Sequence, residues 1–230
     1  MLVDGLLFVV VGLVSGYASG LFGIGGGLFR IPILLHMMPM LGVPTALGMH
    51  VAAGTSLAVA VPTSLSASRS QQKAGNLDRD LMWAWLPTLA VGVVFGIVGT
   101  RFVSGRVLEI LFAVMILLAA VRMLVPQSEK KSQDGDGQAH LPSRPMLAIL
   151  AFAIGVISPM VGIVGGTFAT PVLTTLRYPI HRAVAISSVG GLVVSVLGAI
   201  GFAITGWDAP GLPTHFIGYV DPVAFLLMTP

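Results

Sequence analysis

An arginine three residues beyond a run of glycines is the first feature of this sequence that carries chemistry. The stretch GLFGIGGGLFRIP (Gly20–Pro32) sets Gly23, Gly25, Gly26 and Gly27, then Arg30 and Pro32, inside an otherwise apolar tract. Glycine lets the backbone leave the helix, and a helix that restarts there begins with N–H groups that have no partner. Such a positive helix end attracts anions. Arg30 cannot be neutralised in a protein, and a guanidinium matches an oxyanion. Its alternatives are snorkelling to an interface or pairing with a carbonyl. The pattern returns as GIVGGTFATP (Gly162–Pro171), with Gly162, Gly165, Gly166 and Thr167, and with Ala169 where the first copy has Arg30. Hydroxyls flank both copies: Ser19 and Ser158 before the breaks, Thr55 and Ser56 or Ser187 and Ser188 on the segments after them. Hydroxyls there suit either an anion's hydrogen bonds or helix–helix contacts, and the glycines alternatively suit close packing. The predicted binding set is Ser19, Gly23, Gly25, Gly26, Gly27, Arg30, Thr55, Ser56, Ser158, Gly162, Gly165, Gly166, Thr167 and Ser187.

The elements that must position these residues are apolar. The chain has 230 residues, 55% of them hydrophobic and only 9% charged, against about 25% charged in soluble domains. Apolar runs fall near 6–22, 26–40, 46–68, 81–99, 105–125, 146–162, 166–177, 183–205 and 220–230. They predict an all-α polytopic membrane protein. The runs are continuous and do not alternate, which argues against a transmembrane barrel. There is no cysteine, which excludes disulfides, thiolate metal sites and a cysteine nucleophile. No Lys or Arg precedes the first run, so it reads as a mature helix and not a signal peptide. The basic residues lie mostly in loops, where topology explains them without nucleic acid. One polar stretch, Pro126–Pro145, reads as a solvated linker.

The halves on either side of that linker are alike. Val14–Leu34 aligns without gaps on Ala153–Leu173, HVAAGTS (His50–Ser56) on HRAVAIS (His181–Ser187), and LDRDLMWAWLP (Leu77–Pro87) on VDPVAFLLMTP (Val220–Pro230). Three matched blocks in one order indicate an internal duplication: a first transmembrane repeat at 1–125, a cytoplasmic linker at 126–145, and a second repeat at 146–230. The second repeat stops at the counterpart of Pro87 and reads as truncated. Loop 69–80 carries Arg69, Lys73 and Arg79, whereas its counterpart 206–219 carries no basic residue. Cytoplasmic loops hold the excess of Lys and Arg, so the repeats read as inverted, each with a Gly-broken helical hairpin that returns to its starting side. That arrangement divides the basic residues nine to two, against seven to four if each hairpin crosses. Matched His50 and His181 fit either a proton pathway or the interface. Asp78 and Asp221 fit N-caps, Trp83, Trp85 and Trp207 fit the membrane interface, and Pro62 and Pro87 predict kinks.

The combination GIGGGLFRIPIL, AAGTSLAVAVPTSLSASRSQQKAGNLD, GIVGGTFATPVL and IGYVDP resembles the sulfite exporter TauE/SafE family of membrane permeases. The resemblance covers essentially the whole chain apart from the linker. It implies a multi-pass permease of the bacterial inner (cytoplasmic) membrane, not an enzyme, that moves sulfite, sulfonates or related organic anions without a cofactor. Its implied partners are the small anion and the lipid bilayer. A coupling proton or cation and a homo-oligomer stay open. The sequence has no GxxxxGK[ST] nucleotide loop, so transport would be secondary. A passive anion channel is an alternative. An intramembrane hydrolase is another, but the nearest approach to a serine nucleophile motif is LVSGYASG (Leu13–Gly20).

Overall fold

The structure is a computed structural model that describes residues 8–17, 26–124, 143–176 and 178–229. Ser19, Gly23, Gly25, Arg177 and nearly all of the linker lie outside the described residues. The described chain is helical: α1 (Phe8–Tyr17), α2 (Gly27–Met37), a short 3-10 turn (Met38–Leu41), α3 (Thr45–Lys73), α4 (Arg79–Thr100), α5 (Gly105–Leu124), α6 (Arg144–Val161), α7 (Gly166–Thr175), α8 (Ile180–Thr205) and α9 (Pro222–Met228). Among the described residues there is no named strand, only an isolated bridge between Ile217 and Val220. Four helices, α3, α4, α6 and α8, are long and apolar enough to cross a membrane. Exposed Val91, Val94, Phe95 and Val98 on α4, and Ile110, Val114, Leu117 and Leu118 on α5, give these helices apolar outer faces. Such faces suit lipid. α2 and α7 are half-length, about 15 Å each, and each starts at its glycine break. α3 and α4 run on through Pro62 and Pro87.

Small residues set the packing and thereby the direction of each helix. Gly54, Leu57 and Ser64 of α3 lie against Phe202, Gly198 and Gly191 of α8 in turn, so the two helices are antiparallel. They carry the aligned blocks His50–Ser56 and His181–Ser187, and opposite directions are what an inverted duplication would require. Gly92 of α4 meets Phe152 and Gly155 of α6, and Gly96 meets Val156 and Pro159, so α4 and α6 are parallel. Leu89 and Ile97 of α4 meet Gly190 and Gly201 of α8, so α8 shares that direction. Helices α6 and α8 therefore both start on the face where α4 starts. Since α7 leads straight into α8, the hairpin α6–α7 enters and leaves by one face. There the Tyr178 hydroxyl donates to Asp78 at 2.7 Å. Arg69, Lys73, Arg79, Arg144 and Arg182 belong to this basic face, and Arg101 and Arg106 to the other.

Asp78 and Asp221 are N-caps, as their positions predict. Asp78 accepts from the N–H groups of Asp80 and Leu81, and Asp221 from those of Val223 and Ala224. The tryptophans divide. Trp83 and Trp207 are exposed, but Trp85 is fully buried against α6 and α8 and is not an interface residue. Positions 83 and 85 are about 200° apart around a helix, so only one of them can face the bundle.

Candidate functional site

A cavity of about 420 Å³ lies where the two glycine breaks approach the central helices. Gly26 reaches it from the first break, and Val164, Gly166 and Thr167 from the second. Its walls are a small and polar stripe of α3, Ala60, Ser64, Ala67 and Gln71, facing Val184, Ser187 and Gly191 of α8. Both stripes follow the three-to-four-residue repeat of one helix face. The cavity runs from Gly166 in the interior to Ser70 and Gln71 near the end of α3, on the basic face. A second hollow of about 530 Å³ shares Ser70 and brings Arg69 and Lys73 to that mouth.

The floor is an open helix end. Gly162 takes a left-handed conformation, φ 70°, and turns the chain out of α6. A Cβ there would lie 2.6 Å from the Ala53 Cα, so both the turn and the close approach require glycine. α7 restarts at Gly166 with Gly165 as N-cap and no side-chain cap. The N–H groups of Val164, Gly165 and Gly166 have no hydrogen-bond acceptor among the described residues. Beside them the Ser187 side chain is only 3% exposed, yet its Oγ has no hydrogen-bond partner. An orphaned buried hydroxyl costs stability, and one on a cavity-lining residue beside an open helix N-terminus is placed for an acceptor-rich ligand. The neighbouring Thr63 and Ser188 hydroxyls already donate to their own helix backbones.

Arg30 does not snorkel. It is 2% exposed, and its Nε donates to the Ser15 hydroxyl at 3.1 Å, which in turn donates to the Gly12 carbonyl. Its Nη1 is buried without a partner. The guanidinium folds back over Gly26, where any Cβ would collide with it. The charge thus stands behind the cavity wall and not in its lining.

The model of the family described as Sulfite exporter TauE/SafE matches residues 8–230. The chain belongs to this family. A probable membrane transporter protein of Haemophilus influenzae is 33% identical over 228 residues, which cover 97% of this chain and 83% of that one. Probable membrane transporter proteins of Methanocaldococcus jannaschii and Bacillus subtilis are 28% and 29% identical, each over 97% of this chain and over 81% and 85% of their own. No solved structure matches the chain. With four apolar helices long enough to span a bilayer, this TauE/SafE member is a multi-pass membrane protein.

The predicted site residues separate into two layers. Gly26, Gly166, Thr167 and Ser187 line the cavity. Gly27, Ser56 and Gly162 form a crossing beneath it: the Ser56 hydroxyl donates to the Gly162 carbonyl at 3.1 Å, and Gly27 packs on the same carbonyl. The Thr55 hydroxyl accepts from the Asp221 N–H at 3.0 Å. Ser158 Oγ is buried without a partner behind Gly165. His50 and His181 share no environment: Nε2 of the former lies 3.2 Å from the Thr100 carbonyl, while the latter is exposed on the opposite face. Sequence reasoning misses Ser64 and Ser15. The stripe Ala60–Ser64–Ala67–Gln71 is a usable signal for Ser64, whereas nothing local points to Ser15.

Proposed function

We propose that the chain is a secondary transporter for a small anion, with sulfite, sulfonates and related sulfur-containing or organic anions as its substrates. It would act in a bacterial inner membrane with the basic face toward the cytoplasm. The observation that carries this reading is the open N-terminus of α7 beside the unpartnered Ser187 hydroxyl, in a cavity reached from the basic face. Between the cavity and the opposite face lie the Gly27–Gly162 contact, the Thr55–Asp221 bond and the packing of Gly54 on Tyr219. A path that stops at such a crossing favours a carrier, which must rearrange the crossing, over a pore that stands open.

Counterflow in proteoliposomes tests it. Vesicles preloaded with unlabelled sulfite should accumulate labelled sulfite transiently, and the rate should saturate. Flux without stimulation by internal substrate would indicate a channel. No protein-dependent flux of sulfite or of any sulfonate would overturn the reading.

A further inference from the structure

We infer that the cavity selects monoanions and rejects dianions of the same shape. This rests on the anion-transport reading and narrows it to one charge class. Among the described residues that line the cavity there is no Asp, Glu, Lys, Arg or His. The donors are neutral: the N–H groups at the start of α7 and the hydroxyls of Ser64 and Ser187. A helix N-terminus supplies about half a positive charge. Arg69 and Lys73 stand only at the outer mouth; among the described residues one full charge stands beside the inner end, that of Arg30 packed on Gly26, and no acidic side chain pairs with it. A bound monoanion balances that single buried cation. A second negative charge finds no counterpart in the lining, and an uncompensated charge away from water is strongly penalised. Ala60, Ala67, Val164 and Val184 complete the walls with apolar surface. They accept a short hydrocarbon tail and offer a second charge nothing.

The probe pair is methanesulfonate and methylphosphonate, which share a shape and differ in charge. Methanesulfonate is a monoanion throughout, whereas methylphosphonate is a monoanion on the acid side of its second ionisation and a dianion on the alkaline side. Thermal stabilisation of the purified full chain would be titrated with each on both sides. Methanesulfonate should bind with the same dissociation constant on both. Methylphosphonate should match it as a monoanion and weaken on the order of a hundredfold as a dianion, the scale set by an unpaired buried charge. Arg30→Gln should weaken both monoanions together while the unliganded protein still melts cooperatively, since no acid is orphaned by the change. Equal binding of the methylphosphonate dianion would overturn the charge rule and leave anion transport standing. Silence with every anion, sulfite included, would overturn both.

Discussion

The two halves of the chain carry matched blocks and use them differently. Ser56 and Ser187 hold matched positions in the aligned blocks, yet the first hydroxyl is bonded to the Gly162 carbonyl and the second, buried on a residue that lines the cavity, has no partner. Arg30 and Ala169 are counterparts too, one a buried cation and the other a buried methyl group. The start of α2 is covered by the guanidinium of its own Arg30, while the start of α7 is open. The matched blocks thus place two glycine-started short helices, and a few differences between them divide the labour. The first half contributes charge from behind the wall, and the second contributes the exposed donors.

Exchanging the charge is the severest way to break this comparison. Ala169 is 2% exposed and packs with Leu173 and Ile154 in the cluster around α4, α6 and α8. Ala169→Arg would bury a cation with no hydroxyl placed as Ser15 is for Arg30. It should cost several kcal/mol, about 3–5 by the usual penalty for an unpaired buried charge. The expected result is loss of monodisperse protein by size-exclusion chromatography. A folded Ala169→Arg protein would mean that the halves are interchangeable after all.

Next in size is the cap of each short helix. Gly26→Ala places a methyl group into the Arg30 guanidinium and should cost about 1–3 kcal/mol, the range for overpacking. Because the obstacle is a side chain, Arg30→Ala should relieve the cost in the double variant. At the counterpart, a Cβ on Gly165 meets the Val194 Cγ2 at 3.0 Å, so Gly165→Ala should cost less and ignore Arg30→Ala. Thermal melts of the single and double variants, read as double-mutant cycles, check this coupling.

The paired serines sharpen the comparison at smaller cost. Ser56→Ala removes the hydrogen bond to Gly162 and should lower stability by about 1–2 kcal/mol, because a buried carbonyl loses its donor. Ser187→Ala removes an unpartnered hydroxyl and should leave the melting temperature unchanged or raised, while weakening anion stabilisation. The opposite pattern would reverse the roles assigned to the two halves.

Much of this architecture is legible in the amino-acid sequence. The apolar runs locate the helices because lipid leaves a spanning chain no other backbone solution, and the aligned glycines locate both breaks. Asp78 and Asp221 are readable as caps from their place just ahead of apolar runs. The cavity wall is harder. Ser64 is distinguished only by the face it shares with Ala60, Ala67 and Gln71, and a face matters only once the partner helix is known. Trp85 reads as an interface residue because tryptophan near a helix start usually is one, and only the packing of α4 on α6 and α8 turns it inward. The bond from Arg30 to Ser15 joins side chains 15 residues apart, a separation that no short helical spacing in the sequence points to.

The smallest expected effect lies at the basic face, where the halves meet without forming the binding site. Asp78 caps α4 in the first half, accepts the Tyr178 hydroxyl from the second and lies 3.7 Å from Arg182. Partial burial pushes the carboxyl pKa up, but the Tyr178 hydroxyl, the Leu81 and Asp80 N–H groups and the Arg182 charge outweigh it. The net result is a value below the ordinary one. A depressed carboxylate stabilises the fold in full above the unfolded pKa of about 3.9 and loses that contribution as pH falls through the lower folded value. The melting temperature of wild type should therefore exceed that of Asp78→Asn by a constant amount near neutrality, and the gap should close below about pH 4. Asparagine still caps a helix and the site is partly solvated, so the gap should correspond to less than about 1 kcal/mol. Tyr178→Phe should narrow the gap at neutral pH by removing one of the bonds that favour the charged form. A gap that widens on acidification would show that Asp78 holds the halves together as a neutral acid, and the tie would then belong to Tyr178 and the backbone alone.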